Sequence, residues 1–451
     1  MGKIEAILND PKYAQGTSQF HSALREMKST NYSAAIELLA QALKFFQKKQ
    51  VLEMEAEIYF QMGICSSNLY KYKKAIEYHS KALKLYKQTK NVEREANVYI
   101  NLGTAYKYVG RDVEAIECFN KALDIYMKIK DASGEARAYE NLGHAYADMS
   151  DYEKAKEYFN KVLDIYQKTR DMHGEANAYK KLGEVYYCLS NYDEGRVCFS
   201  KAMEILNKTL ENYKQIEDSC GEARACVDLG QVYVELCEYK KAIEYFNKGL
   251  DIYIQTKDVR GEAKVYENLG FVYGRLDEDE EKKVIEYFYK ALEKYSEIKE
   301  LPGQARAYMN IGIAYTILSR PKPYYSLFGA MFVETLLGGN FSYHMEAINH
   351  FNNALGIYEQ IEDIRGKADG YERLGLVYTI VGEHKKAIEC LNKALRFYIQ
   401  VGDLGGMACV YQGLSSVYTR LNDEKNAMKY SDKATKTEHL LEESRKNRRL
   451  F

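Results

Sequence analysis

Apolar residues recur along this chain with the spacing of helices. In the stretch from Gly134 to Asp171, Tyr139, Leu142, Gly143 and Tyr146 fall at i, i+3, i+4 and i+7, which puts them on one face of an α-helix. After Ser150-Asp151, a polar turn and helix-start signal, a second stripe follows in Tyr152, Ala155, Phe159, Val162 and Tyr166. Two stripes joined by a short polar turn predict a helical hairpin. A lone hairpin cannot bury both stripes, so the unit requires neighbours.

The rest of the chain supplies them. With the glycine that follows Leu142 as a ruler, equivalent positions fall at Gly63, Gly103, Gly143, Gly183, Gly230, Gly270, Gly312, Gly375 and Ser415, in steps of 40, 40, 40, 47, 40, 42, 63 and 40 residues. An upstream copy aligns Ala23 with the glycine, Tyr32 with Tyr152 and Ala35 with Ala155, as an atypical capping repeat should. About ten hairpins are predicted. Asp131, Asp171, Asp218, Asp258, Asp363 and Asp403 recur in the turns between them as helix caps, and the glycine shortly after each reads as punctuation. Glycine at position 143 reads as a close approach between the two helices, with Ala155 small for the same reason, so a larger side chain should overpack.

Tyr139, Leu142-Gly143, Tyr146, Ala155, Phe159 and Val162 carry a resemblance to the tetratricopeptide repeat, with Tyr in place of its usual Trp. The trailing Pro of that family is missing, and the period is 40 residues rather than about 34. The long form, opening with GEARAYENLG, resembles the arrays of the Pins/LGN group of G-protein-signalling modulators and of tetratricopeptide repeat protein 28-like chains. The resemblance implies an all-α, right-handed superhelical solenoid over residues 16–436. A segment 1–15 precedes it and a basic helical tail, 437–451, follows. The chain ends before any G-protein-binding motif of the Pins/LGN type, so direct G-protein binding is not expected. The chaperone-tail clamp of other family members is not assembled either, since Lys180 is followed one turn on by Glu184.

Three insertions interrupt the period. Seven residues before Gly221 nearly preserve helical phase, and Leu206, Leu210, Tyr213 and Ile216 continue the stripe, so Ser200 to Asp218 reads as a second helix lengthened by two turns. Two residues before Val284 fall in the acidic run Asp277 to Glu281, read as a solvated turn because a calcium loop needs a central glycine. The third, Pro321 to Tyr343, is markedly apolar and has no counterpart elsewhere. It is open to three readings: a flap folded on the array, a partner-binding loop, or an unremoved intron tolerated at a turn.

Composition narrows the function classes. The balance of 64 basic and 65 acidic residues supplies no field for nucleic acid or an anionic membrane, and no apolar run is long enough for a membrane span. A cytoplasmic location is expected, because the amino terminus lacks the apolar core of a signal peptide. Most of the 42 Tyr hold fixed repeat positions and read as packing residues. The nine Cys, with no C-x-x-C pair, read as reduced small hydrophobes rather than metal ligands or disulfides. Neither a phosphate loop, an H-E-x-x-H motif nor a nucleophile elbow is present, so no enzyme, cofactor or metal is expected.

Function is then expected on the face of each first helix opposite its apolar stripe. Read in order, that face carries Asn97 and Asn101, then Arg137, Asn141 and His144, then Lys181, then Arg224 and Gln231. Lys264, Asn268 and Phe271 follow, then Arg306, Asn310 and Ile313, and finally Arg373 and Leu376. Arg137, Arg224, Lys264 and Arg306 form a cationic row, and Asn101, Asn141, Asn268 and Asn310 offer amides to a peptide backbone. Phe271, Ile313, Ile317, Leu376 and Ile380 place apolar surface where water is expected. The expected role is a non-catalytic scaffold whose groove takes an extended, acidic and partly apolar peptide. In the Pins/LGN group the matching residues bind acidic segments, and Arg137 with Asn141 and Arg306 with Asn310 are similar. The alternative is a self-assembling structural protein that stacks through the apolar insertion or the array ends, which leaves the oligomeric state open.

Overall fold

A computed structural model describes residues 2–29, 31–276, 281–319 and 341–447. All regular structure among them is helical. The chain forms two compact units: Met1–Ser150 with Glu157–Ile165 and Ile361–Asp363, and Asp151–Lys156 with Tyr166–Gln360 and Ile364–Phe451.

The first unit begins with α1 (Gly2–Leu8) and a short 3-10 turn, followed by the hairpin α2 (Ala14–Lys28) and α3 (Tyr32–Lys49). In this hairpin Ala23 and Ala35, the residues that align it with the others, are fully buried. Next come α4 (Leu52–Asn68) with α5 (Tyr72–Thr89), α6 (Val92–Tyr108) with α7 (Asp112–Ile129), and α8 (Ala132–Asp148) with α9 (Tyr152–Thr169), whose residues contribute to both units. One apolar cluster runs from Ala56 and Phe60 through Phe119 and Tyr126 to Leu142, so neighbouring hairpins share a core.

The second unit holds α10 (Met172–Cys188) with α11 (Tyr192–Gln215), α12 (Ser219–Glu235) with α13 (Tyr239–Thr256), and α14 (Val259–Tyr273) with α15 (Glu281–Glu297). Then follow α16 (Leu301–Leu318) with α17 (Phe341–Gln360), α18 (Ile364–Ile380) with α19 (His384–Val401), and α20 (Leu404–Arg420) with α21 (Glu424–Asn447). Ten hairpins in sequence bear out the repeat count. At 24 residues against 18 for α9 and α13, α11 is the lengthened second helix the seven-residue insertion predicted. Leu206 and Leu210 are buried on it, whereas Ile216 caps its end and is 69% exposed, so the apolar stripe stops one turn early. The acidic run, Asp277 to Asp279 with Glu280, and nearly all of the apolar insertion lie outside the described residues.

Local chemistry explains where these helices start and stop. Asp131, Asp171, Asp218, Asp258 and Asp403 each accept a hydrogen bond from the backbone N–H three residues on, at 2.9–3.0 Å, as helix N-caps do. Left-handed backbone at Lys130 (φ 57°) ends α7, and at Ser150 (φ 59°) it makes the turn into α9.

The glycines do more than punctuate. A Cβ on Gly143 would lie 2.8 Å from the Phe159 ring, so the neighbour pressed against it is Phe159 and not the expected Ala155. The contact recurs: Gly103, Gly183, Gly230, Gly270 and Gly312 face Phe119, Phe199, Phe246, Phe288 and Phe351. Where the ring position holds Ser431, the glycine position holds Ser415, whose hydroxyl donates to the Ala427 carbonyl at 2.9 Å. The turn glycines, read above as punctuation, make a second contact of this kind between hairpins. A Cβ on Gly174 would meet the Tyr166 ring of the preceding hairpin at 2.7 Å, and Gly134, Gly221, Gly261 and Gly303 meet Tyr126, Tyr213, Tyr253 and Tyr295.

Tyrosines also fill the opposite seam. Tyr146 stacks on Tyr158 with centroids 5.4 Å apart, Tyr273 on Tyr287 at 5.2 Å and Tyr418 on Tyr430 at 5.5 Å. Lys161, Lys290 and Lys433 lie over the Tyr158, Tyr287 and Tyr430 rings. Cys118, Cys198 and Cys390 occupy the position of Tyr158 and are buried. All nine Cys are free thiols, and burial pushes those of Cys118 and Cys390 up to about 11.

His79 breaks the ring pattern. It stands in the Phe159 position against Gly63, fully buried, with neither ring nitrogen hydrogen-bonded. Burial pushes its imidazole down to about 4. The unfolded chain therefore binds a proton below about pH 6.5 that the folded chain refuses. The stability linked to His79 is complete above that pH and is lost as pH falls towards 4.

Two outcomes follow from this packing. Gly143→Leu should destabilise by about 1–3 kcal/mol through overpacking against Phe159, read by thermal or urea denaturation; an unchanged midpoint contradicts the close contact. His79→Phe should flatten the loss of thermal stability between pH 7 and 4.5, where the wild type loses up to about 3 kcal/mol. Parallel melting curves for the two proteins across that range would rule out the buried neutral imidazole.

Candidate functional site

All the positions singled out on the first helices reach solvent, because the glycines and rings pull the opposite face of each helix inward. Asn97 and Asn101 on α6 are half-buried, and on α8 so are Asn141 and His144, while Arg137 is exposed. These five belong to the first unit. In the second unit, Lys181 (α10), Gln231 (α12), Asn268 (α14), Asn310 and Ile313 (α16) and Leu376 (α18) are half-buried. Arg224 (α12), Lys264 and Phe271 (α14), Arg306 (α16) and Arg373 (α18) are exposed. Neither His144 nor Phe271 is solvated all round: each packs edge-on against the ring below it, Phe159 at 5.2 Å and Phe288 at 5.3 Å.

Several of these groups are already engaged within the chain. Tyr126 of α7 donates its hydroxyl to the Asn97 Oδ1 at 3.0 Å, and the Arg137 guanidinium donates to that same oxygen at 2.6 Å and to the hydroxyl itself. One tyrosine thereby ties α6 to α8. The same node recurs in the second unit, where Tyr295 of α15 donates to Glu267 at 2.9 Å. There Arg306 donates to both Glu267 oxygens at 3.3 Å and to the Tyr295 hydroxyl at 3.2 Å, and Asn310 donates to Glu267 at 3.2 Å. Burial and then the Glu267 charge hold the Tyr295 hydroxyl above its ordinary value, against Arg306. Tyr86 with Glu57 and Arg94, and Tyr398 with Asp369 and Glu372, are variants of the same arrangement.

Two of the four cations in the expected row are thus engaged within the array. Arg137 and Arg306 bind the array's own Asn97 and Glu267, since a guanidinium at this position lies within reach of the preceding tyrosine's hydroxyl. The amides are partly committed as well: Asn101 and Asn141 donate back to the carbonyls of Asn97 and Arg137 one turn earlier. Lys181 pairs with Glu184 at 2.8 Å, and the buried Lys180 donates to Asp228 at 2.9 Å and Gln231 at 2.8 Å, joining α10 to α12. Two cations keep their charge for solvent. Among the described residues Arg224 makes no ion pair and contacts the Cys220 sulfur at 4.0 Å, its charge acting on the Tyr253 hydroxyl, and Lys264 makes no ion pair either.

At the carboxy-terminal end of the second unit, four of the five apolar positions come together, Phe271 lying outside the group. Ile313 and Ile317 of α16, Leu376 and Ile380 of α18, and residues of α20 line an open cleft of about 400 Å³. Arg373 lies at its edge, as does Arg420, which the periodicity did not single out. Ile317 and Ile380 remain 57% and 45% exposed.

The residues missed from the sequence were the tyrosines of the nodes, Tyr86, Tyr126, Tyr295 and Tyr398, together with Glu57, Glu267, Lys180 and Arg420. A signal existed in the polar residues spaced 29 before and 11 after Tyr126, but it runs between hairpins and not along one helix. Among the described residues no group of three or more His, Cys, Asp or Glu is placed to hold a metal ion, and no helix is long and apolar enough to cross a membrane.

Comparison with known proteins identifies the repeat. A family model of the tetratricopeptide repeat matches residues 54–128, 94–168, 134–215, 174–255 and 366–437, more than half of the chain. The chain belongs to the tetratricopeptide repeat family. Its repeats resemble those of the apo form of the quorum sensor NprR from B. thuringiensis, with a TM-score of 0.50 and 17% identity over 79% of this chain and 90% of that one. BtubC from P. vanneervenii matches with a TM-score of 0.38 and 20% identity, over 43% of this chain and 89% of the other. A signal-transduction ATPase with a tetratricopeptide repeat sensor, from Pyrococcus horikoshii, matches with a TM-score of 0.40 and 17% identity, over 82% of this chain and 53% of the other. These likenesses concern the fold. A search of curated proteins returns no match, and the finer resemblance to the Pins/LGN group and to tetratricopeptide repeat protein 28-like chains finds no support.

Arg306→Gln should destabilise the second unit by about 1–3 kcal/mol, because it leaves the Glu267 carboxylate, 12% exposed, without its cation. Adding Glu267→Gln should recover most of the loss. Additive costs in that double-mutant cycle, measured by denaturation, would mean that the node is not coupled.

Proposed function

We propose that this tetratricopeptide repeat protein is a non-catalytic interaction scaffold whose first-helix faces take an extended, acidic and partly apolar segment of a partner protein. The supporting observation is the uneven use of cations along the second unit. Arg306 is neutralised inside the array, whereas Arg224 and Lys264, at the same position in neighbouring hairpins, are not. A charge without an ion pair in the fold is available to a ligand, and beside this pair stand the half-buried amide of Asn268 and the exposed ring of Phe271. The neutralised node at Arg306 acts beneath such a ligand as a fixed support that holds α14 and α16 in register.

The direct test separates these two classes of cation. Arg224→Glu with Lys264→Glu should abolish capture of interacting proteins in a pull-down while leaving the melting curve nearly unchanged, because Arg224 makes only a 4.0 Å contact with the Cys220 sulfur and Lys264 forms no ion pair among the described residues. The pair Arg137→Glu and Arg306→Glu should instead lower the melting temperature. Undiminished capture by the Arg224→Glu, Lys264→Glu protein would refute the reading.

A further inference from the structure

We propose that the cleft between α16, α18 and α20 is an anchor site that accepts one large apolar side chain from an acidic segment of the partner. This deepens the reading above and rests on it. The occupant follows from what the lining contains and what it lacks. Ile313, Ile317, Leu376 and Ile380 supply aliphatic walls from two successive first helices, and the cleft of about 400 Å³ has room for a Phe or Leu side chain with adjoining backbone.

Its polar groups divide sharply. The hydroxyls of Thr316 and Thr379 donate at 2.8 Å to the carbonyls of Gly312 and Gly375 on their own helices, which leaves little for a ligand to displace. Arg373 and Arg420 are exposed, and neither forms an ion pair among the described residues. Among the described residues no carboxylate lines the cleft. Two uncompensated guanidinium groups beside an aliphatic slot favour a ligand that is apolar at one residue and anionic beside it, since a carboxylate can engage a guanidinium through paired hydrogen bonds. A basic segment would meet two like charges and no partner.

The acids of α18, Asp369 and Glu372, and Glu438 of the neighbouring α21 have partners elsewhere, Asp369 accepting from the Tyr398 hydroxyl at 2.7 Å. Glu372 accepts from the Tyr398 hydroxyl at 2.6 Å, and Glu438 accepts from Gln412 at 2.7 Å. Neither neutralises the arginines. Nor does the site call on Arg137 or Arg306, whose charges are spent within the array. The anchor is thus separable from both the nodes and the Arg224 and Lys264 pair.

The experiment titrates the full chain with a fluorescently labelled synthetic peptide in which one Phe is flanked on both sides by Glu, beside versions with Ser for Phe or Lys for Glu. Binding should be saturable for the first peptide only and should weaken with added salt. Arg373→Glu with Arg420→Glu should reduce affinity on the order of tenfold or more, and so should Ile317→Asp with Ile380→Asp. All four side chains are well exposed, so melting curves should match the wild type and separate lost binding from lost fold. If affinity survives both of these pairs but falls in the Arg224→Glu, Lys264→Glu protein, the anchor is overturned and the wider scaffold reading stands. If no variant changes it, or if the Lys-flanked peptide binds equally well, both fall. A dimer in light scattering that Ile317→Asp, Ile380→Asp dissolves would assign the cleft to a second copy of this chain and also overturn the proposal.

Discussion

Everything in this fold depends on rings pressed against glycines. Within a hairpin, Phe159 lies on Gly143, and between hairpins Tyr166 lies on Gly174. A ring placed where a neighbouring helix has no Cβ brings two backbones close and buries a large apolar area in one contact. Repeated along the chain, the two contacts set both the internal geometry of each hairpin and its step to the next. The cost of glycine inside a helix, about 1 kcal/mol relative to alanine, is offset by that burial. Substitutions at the ring position show how tight the constraint is. Leu391 still faces Gly375, and once the ring shrinks to Ser431, Ser415 becomes tolerable at the glycine position.

Such packing decides where polar chemistry can occur. The tyrosine that covers a turn glycine carries its hydroxyl beyond the apolar seam to the level of the first helices, where it meets polar side chains from two successive hairpins. At Tyr126 these are Asn97 and Arg137, and at Tyr295 they are Glu267 and Arg306. A hydroxyl that accepts from a guanidinium while donating to a carboxylate or amide is satisfied in both directions, so it is cheap to keep partly buried. The same residue thus serves the core with its ring and the surface with its oxygen. This dual use accounts for much of the abundance of tyrosine here.

The nodes also divide the first-helix surface into two kinds of residue. Groups drawn into them stabilise the stack and are poor candidates for recognition, because a ligand would have to displace an existing partner. Groups at equivalent positions that find no partner are left for solvent, as are Ile317 of α16 and Ile380 of α18. Stability and recognition thus compete position by position along one face.

Much of the architecture was legible in the chain itself, because it rests on short-range rules. Helical spacing, the 40-residue period, aspartate caps and the phase-preserving seven-residue insertion all act within one or two turns of the residues that encode them. The existence and order of the hairpins follow, as does the length of α11. What the sequence left undecided was which charged residues face a ligand and which face the protein. Arg137, Arg224 and Arg306 stand at one repeat position and look alike in the primary structure, yet only the first and last find an acceptor. Arg137 reaches Asn97 and Arg306 reaches Glu267, each about 40 positions earlier, whereas Arg224, with Asn177 at the repeat position of Asn97, reaches the Cys220 sulfur on its own helix. Only when stacking brings successive first helices side by side can such distant groups meet, so tertiary structure alone decided which charges were neutralised.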